Sequence, residues 1–108
     1  MIATPGRLAL GYLRRFPLMS ALELGALQQR MATTASARRL VLGTVHVEEL
    51  PTQPQAFAEL LTSVRALDVA AVIVPTLIHI GDRDAPGTLW NQLWLAARVE
   101  VVFTGPSP

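Results

Sequence analysis

Cysteine and lysine are both missing from this chain of 108 residues. Without cysteine there is neither a disulfide framework nor a thiolate metal site. Without lysine, all nine basic residues are arginine, set against eight acidic ones. So even a balance argues against strong nucleic-acid binding, because autonomous DNA-binding domains carry a clustered cation excess that displaces counterions from phosphate. Arginine-only usage beside abundant Ala, Leu, Val and Pro reads as the mark of a GC-rich genome. Long apolar runs are missing too. None reaches the ~18 residues a membrane-spanning helix needs, and the longest candidate, Val69–Leu77, contains Pro75. Met1–Leu13 carries Pro5, Gly6 and Arg7 before a short apolar run, without the long apolar region and small-residue cleavage site of a signal peptide. With 51% of its residues apolar the chain can bury a core. The expectation is one soluble cytoplasmic domain over residues 1–108 that neither spans nor anchors to a membrane.

What is present alternates between two periodicities. Arg7–Leu13 reads as a mostly apolar strand, ended by Arg14, Arg15 and Pro17. Ser20-Ala-Leu-Glu23 is a capping-box pattern opening a helix at about 20–36. Leu40–Val47, β-branched and apolar with Gly43 inside, is a second strand. Glu48–Pro54 holds two prolines and reads as a loop, with Thr52 or Gln53 as N-cap and Pro54 at the first helical position. Phe57, Leu60, Leu61, Val64 and Leu67 then trace an amphipathic helix. Val69–Val74 is the unbroken apolar run of a strand buried on both faces. A polar loop at Thr76–Gly87, a helix at about 88–97 and a strand at Val99–Phe103 complete the order. Strand–helix–strand alternation with short connections implies parallel strands and right-handed crossovers. The expected fold is a small three-layer α/β/α domain with a mainly parallel four-stranded sheet.

Ligands of such sheets bind outside the carboxyl ends of the strands. Here that edge is built from Arg14–Ser20, Val47–Pro54, Pro75–Pro86 and Phe103–Pro106. Arg14 and Arg15, near the first helix N-terminus, are the candidate anion-binding residues. No glycine-rich phosphate loop backs them, since Gly6 and Gly11 precede or lie within the strand. His79 with Asp82 and Asp84 has the composition of a metal or acid–base cluster, but lacks HxxE or HxH spacing. The plainer reading gives His79 a local hydrogen bond and leaves Asp82-Arg83-Asp84 as a solvated loop. Glu48-Glu49 reads either as a general-acid pair or as a water-facing rim, the commoner use of adjacent acids. Trp90 and Trp94, at i and i+4 beside Leu89, Leu93 and Ala97, form a stripe wider than one buried face needs. Core packing accounts for part of it, and Leu89, Trp90, Leu93 and Trp94 are the candidate interface, tryptophan being enriched in interface hot spots.

The edge loops carry a resemblance. Gly11-Tyr12-Leu13-Arg14-Arg15-Phe16 resembles the strand end of the serine recombinases (resolvases, invertases and large serine integrases), where a Tyr-x-Arg-Val-Ser element stands. Val72-Ile-Val-Pro-Thr-Leu-Ile-His-Ile-Gly81 is similar in its apolar positions to the family's buried strand running into Leu-Asp-Arg-Leu-x-Arg. Val47-Glu-Glu49 and the Phe57–Leu67 helix fall where the family has its second strand and second helix. The resemblance covers nearly the whole chain and implies a resolvase-like fold. It also implies losses. Phe16 stands at the nucleophilic serine, and a phenyl ring cannot attack a phosphodiester. Ile78-His79 stands at the Asp-Arg pair, and the next arginine position falls at Gly81 or Asp82. Of the arginine cluster that stabilises a transferring phosphate, Arg14 alone is retained clearly. The long interface helix and DNA-binding segment that follow the family's domain have no counterpart in these residues.

These features predict a non-catalytic recombinase-like domain with no cofactor and no metal, acting through protein contacts as a homodimer or on another protein. The alternative is a regulator that contacts DNA weakly through Arg7, Arg14, Arg15, Arg38 and Arg39. A third class, an unrelated enzyme at the strand-end edge, requires a ligand that stabilises the fold.

Overall fold

The computed structural model describes residues 7–49, 55–76 and 79–104. Seven elements follow one another: β1 (Arg7–Arg14), α1 (Ala21–Ala37), β2 (Leu40–Glu48), α2 (Gln55–Ala66), β3 (Val69–Val74), α3 (Leu89–Ala97) and β4 (Glu100–Phe103). The strands form one sheet in the order β2-β1-β3-β4, with every pairing parallel. The expected α/β fold with a four-stranded sheet is therefore the observed one, parallel throughout. Each sequence-predicted element is present, β3 with the expected bounds and the others with ends shifted by at most one or two residues.

Period-two alternation along the central strands separates two cores. Leu10, Tyr12, Val72 and Val74 meet Phe57, Leu60 and Val64 of α2 and Leu93 of α3 on one face. Ala9, Leu13, Ala71 and Ile73 meet Met31 and Ala35 of α1 on the other. Tyr12 and Phe57 contact edge to face, with ring centroids 5.6 Å apart, which fixes α2 on β1. Small residues set how closely the α1 layer approaches. A methyl at Gly11 would lie 2.7 Å from Met31 Cε and 3.0 Å from Val45 Cγ2.

The helix starts follow their capping residues. Ser20 is the N-cap of α1, its side chain accepting from the Glu23 N–H at 3.1 Å. Thr88 does the same for α3, accepting from Asn91 at 3.1 Å. The start expected for α2 at Thr52–Pro54 lies outside the described residues. Two pairing irregularities interrupt the ladders. Ala9 pairs Leu42 while Gly11 pairs Val45, so β2 carries one extra residue around Gly43-Thr44. Leu8 pairs Val69 while Ala9 pairs Ala71, which places an extra residue in β3 as well.

Candidate functional site

The carboxyl ends of the strands gather the residues singled out in the sequence. Arg14 ends β1 and Arg15 follows it, while Glu48 ends β2 and Glu49 follows that. The Arg15 N–H donates to the Glu48 carbonyl at 2.9 Å, locking the two strand ends together. Arg14, Arg15, Phe16, Pro17, Met19 and Glu49 line one open cleft of about 410 Å³. The Arg15 guanidinium stands 4.0 Å from the Glu49 carboxylate, the first side chain partly exposed and the second largely so. Arg14 Nε is buried and has no hydrogen-bond partner among the described residues. The two arginines proposed for an anion thus share one recess with an apolar wall.

The His79 backbone N–H makes the expected local bond, to the Thr76 carbonyl at 3.1 Å, while its ring reaches across the sheet. Its Nδ1 accepts from the Arg14 backbone N–H at 2.9 Å, across 65 residues of sequence. An accepting Nδ1 places the proton of the neutral ring on Nε2. Burial, then the charge of Arg14, lowers the His79 pKa to about 4, so the ring is neutral at pH 7. Phe16 lies against it, ring centroids 5.3 Å apart. Asp82, Arg83 and Asp84 are all exposed, and Asp84 donates its N–H to Asp82 Oδ1. Among the described residues no three His, Asp or Glu side chains come together as metal ligands do.

Glu48 corrects the reading of the acidic pair as a rim. It is buried, whereas Glu49 faces water. Its Oε1 accepts from the Tyr12 hydroxyl and the Phe57 N–H, each at 3.1 Å, and its Oε2 from the Ala56 N–H at 3.2 Å. The carboxylate therefore satisfies the first N–H groups of α2 and sits at the positive end of that helix. Burial and the neighbouring Glu48 charge push the Tyr12 phenol above its ordinary range, so it remains a donor. Chain order held the available signal: an acid at a strand end that runs into a helix start is placed to accept from that helix.

The α3 stripe divides. Leu93 is fully buried in the core, so it belongs to internal packing rather than to a surface. Leu89 and Trp90 also pack on that core. Trp90 meets Phe103 edge to face at 5.3 Å. Trp94 is half-buried with the Arg83 guanidinium 5.4 Å over its ring. The open apolar surface lies elsewhere, at Leu95 on α3, at Phe16, Leu18 and Leu22 around the start of α1, and singly at Val41 and Leu67.

No family model matches the chain, and no curated protein does. Among solved structures it is similar to the C-terminal catalytic domain of ISC1926 TnpA, an IS607-like serine recombinase. The TM-score is 0.70 at 17% identity, over 93% of this chain and 71% of that one. No described helix is long and apolar enough to cross a membrane. The chain has the fold of a serine-recombinase catalytic domain.

Proposed function

We propose that this chain is a non-catalytic relative of the serine-recombinase catalytic domain, working through protein contacts as a homodimeric regulatory or scaffold protein. One observation carries the reading: the Phe16 and His79 rings lie side by side at 5.3 Å. By the sequence resemblance, those positions belong to the nucleophilic serine and to an arginine. A phenyl ring supplies no nucleophile, and a buried neutral imidazole supplies no charge for a transferring phosphate. The family's further arginine falls at Gly81 or Asp82 by the same resemblance, and neither residue supplies a cation. Arg14 and its cleft persist, which is the residue of a phosphate site without the groups that break a bond.

For self-association, Leu95, 73% exposed, is the large apolar residue of α3 that stands open to solvent, beside the half-buried Trp94. Light scattering of the wild-type protein should give a dimer mass, and Leu95→Asp should give a monomer. A clean wild-type monomer at high micromolar concentration would refute self-association. Incubation with supercoiled duplex DNA followed by denaturation should leave no covalent protein–DNA product; a phosphoserine-linked product would refute the loss of catalysis.

A further inference from the structure

The nearly neutral composition hides a segregation of charge that the topology creates. In an all-parallel sheet every helix-to-strand turn emerges at the same end, the edge opposite the Arg14 cleft. Arg7 opens β1, Arg38 and Arg39 join α1 to β2, Arg65 lies in the last turn of α2, and Arg98 joins α3 to β4. All five are exposed. Asp68 and Glu100 are the acids on the same turns and strand starts. Among the described residues only Arg38 of the five has an ion-pair partner, Glu100 at 3.9 Å. Four strands at a spacing of about 4.8 Å make this basic edge roughly 15 Å wide.

A second observation is independent of charge. Arg39 and Arg98 both adopt left-handed backbone conformations, with φ of 59° and 51°. Glycine is the relaxed residue at a turn that ends a helix, and a side chain there costs about 1 kcal/mol or more. Two of the three helix-to-strand turns thus hold arginine where the backbone favours glycine. Strain of this kind is kept where the side chain has a task. Arginine forks match phosphate oxygens, and a row of them on one edge matches a repeating phosphate chain better than a single small anion.

We infer that the amino-terminal edge of the sheet, Arg7, Arg38, Arg39, Arg65 and Arg98, is a docking surface for the phosphate backbone of duplex nucleic acid. It is separate from the Arg14 cleft and needs neither the Phe16–His79 pair nor dimerisation. Contact is to phosphate, so recognition is independent of base sequence.

The test uses the full chain and a fluorescent 20-base-pair duplex of arbitrary sequence, with anisotropy read from 50 to 200 mM salt. Five phosphate contacts give a salt slope of about −4.5, so the fourfold rise in salt should weaken binding roughly 500-fold. Arg39→Gly/Arg98→Gly removes two contacts while relieving the backbone, so misfolding does not confound it. Its loss over the same range should fall to roughly 40-fold, with weaker binding at 50 mM salt. Arg30→Gln, the same type of charge loss in the middle of α1, should bind as wild type does. Absence of binding at 50 mM salt would overturn the inference, as would equal losses in Arg30→Gln and the glycine variant. Glycine-sensitive binding to phosphatidylserine vesicles without binding to the duplex would also overturn it.

Discussion

Replacing Glu48 by glutamine should be the most damaging isosteric change in this molecule. The carboxylate accepts three hydrogen bonds, from Tyr12, Ala56 and Phe57, in a buried position. An amide has one acceptor oxygen. If that oxygen keeps Tyr12 and Phe57, the new NH₂ group faces the Ala56 N–H, donor against donor, and one buried N–H is orphaned. That loss is about 1–3 kcal/mol. Removing the negative charge at the start of α2 adds about 1 kcal/mol in a partly buried helix end. The sum is about 3 kcal/mol, which for a domain of this size lowers Tm by roughly 12 °C. Tyr12→Phe removes one donor and leaves the two backbone bonds, so it should cost only about 1.5 kcal/mol. Glu49→Gln is the control, because that side chain is 62% exposed and meets Arg15 only at 4.0 Å. It should stay within about 0.5 kcal/mol of wild type. Thermal melts and urea titrations of the three variants decide the matter. A Glu48→Gln protein melting within about 2 °C of wild type, or an equal loss from Glu49→Gln, would refute the reasoning.

Three further outcomes are expected. His79 has a folded pKa of about 4 against an ordinary 6.5, so the unfolded chain takes up the proton first. Its contribution to stability is complete above pH 6.5 and is lost as pH falls toward 4, by up to about 3 kcal/mol. His46, lowered mainly by burial, acts in the same direction. His79→Asn keeps an acceptor for Arg14 without titrating, so urea midpoints between pH 7 and 4 should fall less steeply than in wild type. The two glycines should respond oppositely to alanine. Gly25→Ala meets nothing within 4 Å and should raise stability by about 1 kcal/mol, whereas Gly11→Ala should lower it by about 1–3 kcal/mol in calorimetry. Arg98→Gly should raise Tm by roughly 4 °C, because the left-handed turn is relaxed.

The legible part of this fold was the part carried by local pattern. Runs such as Val69–Val74, the 3-and-4 spacing of Phe57–Leu67 and the Ser20 cap each state their own structure, because burial periodicity and capping act over a few residues. The recombinase-like frame was visible in Tyr12–Phe16 and Val72–Gly81 for the same reason. What escaped depends on pairs far apart in sequence. His79 keeps its local backbone bond, but the bond of its ring to Arg14 exists only once the sheet brings the two together. Glu48 reads as surface beside Glu49 until strand alternation turns one inward and the other outward. Leu93 is inseparable from Trp90 and Trp94 in a helical stripe, and only the angle at which α3 meets the sheet buries it. The evenness of total charge concealed where the arginines stand, because position along the sheet axis follows from topology and not from composition.

The extra residue in β2 has a consequence for how this protein behaves when crowded. Among the described residues β2 has β1 on one side and no strand on the other. It is nine residues long, without proline or lysine, and shows Val41 to solvent. Such a border is an invitation to uncontrolled strand addition. The kink at Gly43-Thr44 breaks it into two short stretches that a straight incoming chain cannot follow in a single register. The surplus residue therefore works against edge-to-edge pairing between copies of this chain.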